Sequence, residues 1–358
     1  MISIADVTAV PLDIELSEPF GIATGAQLVA QNVLVTLIFS DGSVGIGEAA
    51  PFPAVNGETQ SAVLGAFAEA RKALLGLDGS RFRPAAAVAG AALPDVPTAR
   101  AAFESAFLDA LCRRHSLSLW SFFGGSEPLL LSDITITTGS LKHAAAAALR
   151  AVAAGFRTLK VKVGGVAFEH DRARLAAIAE AAPNAELVLD ANASLSADAA
   201  LELLAALGPA KSRVTLFEQP CAKADLDGLR KVRERGGTRV AADESACSAS
   251  DVLALIREQA VDVINIKTMK SGIVEAMAMI AIARAAGLGL MIGGMVESKL
   301  SMTVSACLAA GTGGFQFVDL DTPWFLKNAP LNGGWEAHGP TLHVAQITSG
   351  HGVSFRAA

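Results

Sequence analysis

The chain has 358 residues, 52% of them hydrophobic, a formal net charge of −6 and a pI near 5.6. A chain of this length exceeds the usual range of a single small core, so we expect one large barrel or two domains. The acidic balance argues against a nucleic-acid-binding protein, which would need a basic surface.

Several features predict a cytoplasmic protein that does not enter a membrane. The first residues lack the basic and apolar regions of a signal peptide. The most apolar window, residues 276–295, contains Arg284 and several glycines, and a buried helix followed by a buried strand explains it better than a membrane span. The cysteines form no CxxC pair and indicate reduced thiols. They are Cys112, Cys221, Cys247 and Cys307.

The pattern in residues 1–125 predicts an α+β unit, in which an antiparallel sheet precedes helices. The predicted strands are 2–16, 31–39 and, after the turn sequence Ser40-Asp-Gly-Ser43, 44–48. The predicted helices are 61–75 and 98–115, with Thr98 as the N-cap of the second. Two loops, 19–27 and 51–59, connect or follow the strands.

From residue 126 to residue 321 strands alternate with alanine-rich helices. The predicted strands are 134–137, 159–163, 187–189, 214–217, 240–241, 263–266, 288–292 and 315–318. Apolar strands that alternate with helices indicate a parallel sheet covered by helices, and eight such units indicate a compact (β/α)₈ barrel. An open doubly wound sheet is the alternative, but no GxGxxG follows the first strand. We expect residues 322–358 to return to the first unit as a last strand.

The second barrel strand, Thr158-Leu-Lys-Val-Lys-Val163, carries two lysines on one face. An isolated pair of this kind is commonly a solvated basic face. In a buried site, however, mutual repulsion and loss of hydration would both lower a lysine pKa and make one of the pair, Lys160 or Lys162, a base.

Ionisable residues also lie at the ends of the next four strands. Starting from Lys162, each lies 24 to 28 residues after the one before it, so one barrel repeat separates each from the next. They are Asp190, Glu218, Asp243 and Lys267. Active sites of such barrels lie at the carboxyl ends of the strands. One acidic residue at a strand end is often only a cap or an ion-pair partner, but three on adjacent strands predict an oxygen-ligand site that suits Mg²⁺. Strands two and six would place Lys162 and Lys267 across the barrel from each other, on either side of the metal.

These motifs resemble the enolase superfamily, in its muconate-lactonizing subgroup. The matching segments are Lys160-Val-Lys162, Asp190-Ala-Asn192, Glu218-Gln-Pro220, Asp243-Glu244 and Lys267-Thr-Met-Lys270-Ser-Gly272. The resemblance covers nearly the whole chain, and it implies a barrel with a capping domain. It also implies one Mg²⁺ per subunit on Asp190, Glu218 and Asp243, an acid–base pair of Lys162 and Lys267, a metal-stabilised enediolate, and Lys160 as a helper near the substrate carboxylate.

Within the subgroup, Asp319-Leu-Asp321 after the last strand resembles the motif by which dipeptide epimerases bind the α-ammonium group of a dipeptide. The resemblance therefore implies 1,1-proton transfer at the α-carbon of the C-terminal residue of an L,L-dipeptide. Thr135, Met295 in Gly293-Gly294-Met295, and Thr24 in the first loop are expected further substrate contacts, with Glu297 as a partner behind them.

One departure concerns the side-chain specificity. In epimerases that act on Ala-Glu the first capping loop carries an arginine, whereas loops 19–27 and 51–59 of this chain contain no basic residue. We therefore expect neutral or hydrophobic side chains to be preferred over acidic ones. A cycloisomerase or an o-succinylbenzoate synthase on the same scaffold remains the alternative, although their anionic substrates carry no ammonium group for Asp319 and Asp321. A non-catalytic binding protein is the third hypothesis, and a homo-oligomer is compatible with all three.

Overall fold

A computed structural model describes residues 2–23 and 25–355. The chain begins with an antiparallel sheet in the order β1-β2-β3, with bounds β1 Ile4–Ile22, β2 Gly25–Phe39 and β3 Val44–Ala49. Alternate residues of β2, such as Val33, Val35 and Leu37, are fully buried. They form a core with the helices that follow, as the period of two in a half-buried strand requires.

The first predicted loop, 19–27, is wrong in most of its length. Phe20 to Ile22 belong to β1 and Gly25 to Gln27 belong to β2, and Phe20 pairs with Gln27 across the hairpin. The strands therefore continue past the sheet as a long two-stranded arm. Predicted loop 51–59 contains one helical turn.

The helices of the first unit are α1 Pro53–Asn56, α2 Gln60–Leu74, α3 Phe82–Ala92, α4 Pro97–Arg114 and α5 Leu119–Phe122. Helix α4 lies directly on β3, and side chains at Gly45 and Gly47 would place a Cβ only 2.1 Å from the backbone oxygens of Ala106 and Ala102. The expected N-cap at Thr98 is wrong, because the cap residue is Val96 and Pro97 opens the helix.

The second unit is the expected barrel. Its parallel strands follow one another in chain order, with bounds β5 Ile134–Ile136, β6 Thr158–Lys162, β7 Glu186–Asp190, β8 Val214–Glu218, β9 Arg239–Ala242, β10 Val263–Ile266, β11 Gly289–Ile292 and β12 Phe317–Val318. The helices between and after them are α6 Leu141–Ala153, α7 Phe168–Ala181, α8 Ala197–Ala206, α9 Leu226–Gly236, α10 Ala249–Arg257, α11 Thr268–Ser271, α12 Ile273–Ala285 and α13 Lys299–Thr312. At the seam between β12 and β5, the amide of Asp133 donates to the carbonyl of Val318 at 2.8 Å.

The tail returns to the first unit as expected, but within the described residues it meets β1 only in a single antiparallel bridge between Leu16 and Leu326 and adds no full strand to that sheet. Instead β13 Leu331–Gly333 pairs with β16 Val353–Phe355, and β15 Thr341–His343 lies between β14 Glu336–His338 and β4 Leu129–Leu131. The tail does contact the first unit through side chains. Arg113 donates to the carbonyl of Val353 at 2.7 Å, and the buried ring of His351 contacts both Asp109 and the carbonyl of Ile46. Among the helices within the described ranges, none is long and apolar enough to cross a membrane.

Candidate active site

The three carboxylates expected to bind metal lie at the ends of consecutive barrel strands. Asp190 ends β7, Glu218 ends β8, and Asp243 follows β9 directly. All three are buried, with at most 1% of each residue exposed. The parallel register pairs Asp190 with Glu218 and with Lys162, so the barrel itself aligns these groups at one mouth.

Lysine ammonium groups compensate these carboxylates. Lys160 Nζ lies 3.0 Å from Asp190 Oδ2 and 2.7 Å from Glu218 Oε2, and Lys162 Nζ lies 2.6 Å from the same Asp190 oxygen. Lys267 Nζ contacts Asp243 Oδ2 at 2.7 Å. The two lysines of β6 share one face, as the strand period predicts.

The expected lowering of a lysine pKa is wrong for Lys160. Burial does favour the neutral amine of Lys160, but the charges of Asp190, Asp319 and Glu218 outweigh it and raise the pKa well above its usual value. Burial likewise opposes a raised pKa at Lys267, where Asp243 and Glu218 are the largest raising influences. Carboxylates from other strands therefore reverse the direction that two neighbouring lysines alone would give.

The donor set fits a hard divalent cation. Burial and the charge of Asp190 raise the pKa of Glu218 to about 7, and burial with the charge of Asp243 raises that of Glu244 to about 8. Glu218 Oε2, Glu244 Oε2 and Asn265 Oδ1 are buried oxygens that accept no hydrogen bond; Glu218 Oε2 meets Lys160 only as an ion pair. Excess negative charge and free oxygen acceptors at one point are what Mg²⁺ would satisfy.

A cavity of about 410 Å³ lies above this cluster. Its lining includes most of the predicted site residues: Thr135, Lys162, Lys267, Met295, Asp319 and Asp321. Lys160 lies below the cavity wall. Its Nζ donates to Asp319 Oδ2 at 2.5 Å and so connects Asp319 to the carboxylates expected to bind metal. The predicted contact Thr24 falls outside the described residues.

The first unit covers the cavity with apolar side chains. Phe20 and Ile22 come from the end of β1, and Phe52 and Val55 come from α1 and its N-cap. Glu58, the one acidic residue of the second loop, faces elsewhere, since its carboxylate accepts hydrogen bonds from Asn56 and Thr98. The cap therefore offers no charge to the cavity from the side chains that the structure describes there.

Asp319 and Asp321 follow β12 and also line the cavity. Asp321 Oδ2 accepts the backbone amide of Thr135 at 2.6 Å. Asp319, Asp321 and Asp133 each offer an oxygen within 4.8 Å of the others, and this is the tightest carboxylate group among the described residues. The three carboxylates expected to bind metal do not form such a group among the described residues, and the ammonium groups of Lys160 and Lys267 contact them.

Sequence reasoning missed several supporting residues. Lys270 contacts Asp243 Oδ1 at 2.6 Å, and its spacing of three from Lys267 on a helical turn was an available signal. Asn265 Nδ2 donates to Glu218 Oε1 at 2.8 Å. Gln219, with the positive φ of 34°, accepts the amide of Asp243 at 2.8 Å and so holds the loop after β9. No sequence pattern indicated that Asp133 lies beside Asp319 and Asp321.

Glu297 has a supporting role, as expected. It is fully buried, its Oε1 accepts the amide of Met295 at 2.7 Å, and Ser301 donates to its Oε2. Burial raises its pKa to about 7. Glu297 thus fixes the backbone of a residue that lines the cavity.

Comparisons with known proteins agree with this geometry. Residues 4–124 match the family model of the mandelate racemase/muconate lactonizing enzyme N-terminal domain, and residues 143–358 match that of the enolase C-terminal domain-like family. An aromatic dipeptide epimerase of Herpetosiphon aurantiacus is 49% identical over 352 residues, which cover 98% of this chain and 99% of that protein.

Two solved structures are similar over nearly the whole chain. A mandelate racemase/muconate lactonizing enzyme homologue from Sorangium cellulosum is 53% identical with a TM-score of 0.95, covering 99% of both chains. A dipeptide epimerase from Enterococcus faecalis V583, complexed with Mg and the dipeptide L-Leu-L-Tyr, is 34% identical with a TM-score of 0.93, covering 98% of this chain and 99% of that one. The chain belongs to the mandelate racemase/muconate lactonizing enzyme family of the enolase superfamily.

Proposed function

We propose that this protein is a Mg²⁺-dependent dipeptide epimerase, which inverts the α-carbon of the C-terminal residue of dipeptides with hydrophobic, including aromatic, side chains. The observation that carries the proposal is the wall of the 410 Å³ cavity. Two lysines, two carboxylates and an apolar cap face the same space. The Herpetosiphon and Enterococcus relatives support the assignment, since both are dipeptide epimerases.

The two lysines would transfer the protons. Lys162 lies on β6 and Lys267 follows β10, four strands away in an eight-stranded barrel, so they face the cavity from opposite sides. The neutral amine of one lysine would remove the α-proton from one face and become an ammonium group, and the ammonium group of the other would return a proton to the opposite face and become an amine. Asp190, Glu218 and Asp243 would hold Mg²⁺, which when bound supplies positive charge beside the anion left by proton removal.

The remaining walls would select the substrate. Asp319 and Asp321 offer carboxylate oxygens to a free α-ammonium group, with charge-assisted hydrogen bonds. Phe20, Ile22 and Phe52 would bury a hydrophobic side chain, which stabilises the complex by about 1.5–3 kcal/mol. An acidic side chain there would lose hydration without an opposite charge.

Measuring proton exchange in ²H₂O on L-Ala-L-Phe, L-Ala-L-Leu, L-Ala-L-Glu and L-Ala-L-Lys tests the proposal. We expect epimerisation with incorporated deuterium, and kcat/KM for Ala-Phe roughly 10-fold or more above that for Ala-Glu. N-acetylation of Ala-Phe should remove most of the activity. Turnover of muconate or of the o-succinylbenzoate precursor, with no exchange in any dipeptide, would establish the alternative reaction on this scaffold.

A further inference from the structure

Three buried carboxyl groups meet at the seam of the barrel. Asp133 precedes β5, whereas Asp319 and Asp321 follow β12, and each offers an oxygen within 4.8 Å of the other two. Backbone hydrogen bonds fix the seam, since the amide of Asp133 donates to Val318 and the amide of Leu320 donates to Ser132 Oγ at 3.2 Å. The cluster is thus set by the sheet and not by a movable loop.

The three carboxyl groups differ in what they accept. Asp319 Oδ2 accepts from the Lys160 ammonium at 2.5 Å, and Asp321 Oδ2 accepts the amide of Thr135 at 2.6 Å. Each donor occupies an acceptor position on the carboxyl group that it contacts, while burial and the charge of Asp319 raise the pKa of Asp321 to about 7. Asp133 is only 4% exposed, and its buried Oδ1 accepts no hydrogen bond. A proton in this cluster is therefore most stable on Asp133.

The charged surroundings of Asp133 act in the same direction. Asp319 and Asp321 face it from the segment after β12, Lys160 from β6 and Glu218 from β8. Burial is the largest influence that raises the pKa of Asp133 well above its usual value, the charge of Asp319 raises it further, and Lys160 opposes the rise. Three carboxylates facing one ammonium group leave a charge excess that a single proton reduces.

Asp133 also lies on a different cavity from the substrate. It lines a cavity of about 680 Å³ at the other end of the barrel, together with Glu127, Thr158 and Glu186. The residues that line the candidate substrate cavity include Asp319 and Asp321 but not Asp133. Asp133 can therefore act on the candidate substrate site only through Asp319 and Asp321. Protons can reach Asp133 from the cavity at the other end of the barrel.

Building on the proposed function, we propose that Asp133 is a positioning residue that holds one proton behind the Asp319–Asp321 pair and, as a neutral carboxyl group, donates a hydrogen bond to that pair. The cluster of three carboxyl groups then presents two negative charges, and not three, to the ammonium group of the substrate. The hydrogen bond from Asp133 would help to orient the pair, together with those that Lys160 and Thr135 donate to it.

The first test is spectroscopic and does not need turnover. A protonated carboxylic acid has a carbonyl stretch separate from the carboxylate bands, so the infrared difference between wild type and Asp133→Asn at neutral pH should contain one such band. Asp95→Asn, at an exposed aspartate, is the matched control and should remove no such band. Absence of the band from the wild-type-minus-variant spectrum overturns the proposal.

The second test compares kinetics of Asp133→Ala and Asp133→Asn with Ala-Phe. Loss of the donor in Asp133→Ala should raise KM about 10-fold while kcat changes far less, because the lysines are untouched. The amide in Asp133→Asn can still donate and should restore most of the lost affinity. Equal KM increases in both variants would mean that a third negative charge binds the substrate, and would overturn the proposal. Failure of wild type to epimerise any dipeptide would refute the proposed function. The infrared band would still show whether Asp133 holds a proton.

Discussion

At the scale of single residues, the candidate site is a balance between buried carboxylates and ammonium groups. Burial is the largest single influence on Asp190 and Asp243, yet their pKa values are lowered, because several lysine ammonium groups together outweigh it. At Glu218 burial and the charge of Asp190 outweigh the lysines, and the pKa is raised to about 7. The site therefore holds charge that a divalent cation can compensate, and this leads to two predictions.

The first prediction concerns the side chain behind the metal site. Asn265 donates to Glu218 Oε1 and leaves its own Oδ1 free, so Asn265→Leu should weaken Mg²⁺ binding by about 10–100-fold, the usual cost of losing a residue that orients a ligand. Glu218→Gln should weaken it further. Calorimetric titration of Mg²⁺ measures both, with Asn184→Leu on the surface as the control. Unchanged binding in Glu218→Gln would exclude that residue as a ligand.

The second prediction separates the two lysines. Since Lys162 and Lys267 face the cavity from opposite sides, each should exchange the α-proton of one stereoisomer only. Lys267→Ala should stop net epimerisation and leave exchange into one isomer through Lys162, and Lys162→Ala should leave exchange into the other. Proton NMR of both isomers of Ala-Phe in ²H₂O measures this. Interconversion of both isomers by Lys267→Ala would refute the two-base assignment.

Residue types and spacing alone identified the residues at the ends of barrel strands, because one repeat separates each from the next in the series Lys162, Asp190, Glu218, Asp243 and Lys267. They could not identify Asp133, whose surroundings come from the far edge of the sheet. They also gave the wrong direction for the pKa of Lys160, since the result depends on three carboxylates from other strands.

At the scale of elements, the arm formed by β1 and β2 brings apolar side chains to the cavity. It was predicted as a loop because Gly21 and Gly25 interrupt the strand pattern, yet the backbone pairing continues to Ile22 and Gly25. A strand fixes the direction of alternate side chains, so Phe20 and Ile22 both line the cavity. The apolar side chains expected to face the substrate thus do line the cavity, but the secondary structure of the segment that carries them was predicted wrongly.

The third prediction tests this wall. Ile22→Arg should place a guanidinium group beside the substrate side chain and raise the ratio of kcat/KM for Ala-Glu over Ala-Phe by roughly 10-fold or more, given about 1.5–3 kcal/mol for a charged hydrogen bond. Val10→Arg is the matched control, because Val10 lies on the same strand and is 48% exposed. An equal change in the ratio in both variants would show that Ile22 does not contact the substrate side chain.

At the scale of the whole molecule, buried acidic residues join the first unit to the barrel. Glu48 of β3 accepts from Ser298 and Ser301 at the start of α13, and Asn32 of β2 donates both to Glu48 and to the carbonyl of Val296. Such contacts hold the first unit against the barrel segment that follows β11. Sequence patterns do not predict these contacts between units. In the sequence, a buried glutamate whose partners lie in another unit looks the same as any other glutamate in a strand or a helix.

Glu104 forms the second of these links. It lies on α4 of the first unit, is 2% exposed, and accepts the amides of Ile273 and Val274 at 2.5 and 2.9 Å. These amides belong to the first turn of barrel helix α12, whose N-cap residue is a glycine without a side chain. A carboxyl group from another unit therefore caps the helix.

The last prediction concerns the pH dependence of this link. Burial raises the pKa of Glu104 from 4.5 to about 7, so between these values the folded protein binds a proton that the unfolded chain has released. The contribution of Glu104 to stability is therefore complete at low pH and is lost as the pH rises through about 7, by at most about 1.4 kcal/mol per pH unit. Glu104→Gln cannot ionise, so the free energy of unfolding of wild type minus that of this variant should fall between pH 5 and pH 8. Denaturant titrations at the two pH values measure it, with the exposed Glu69→Gln as control. A difference that stays constant, or rises with pH, would show that Glu104 is ionised throughout.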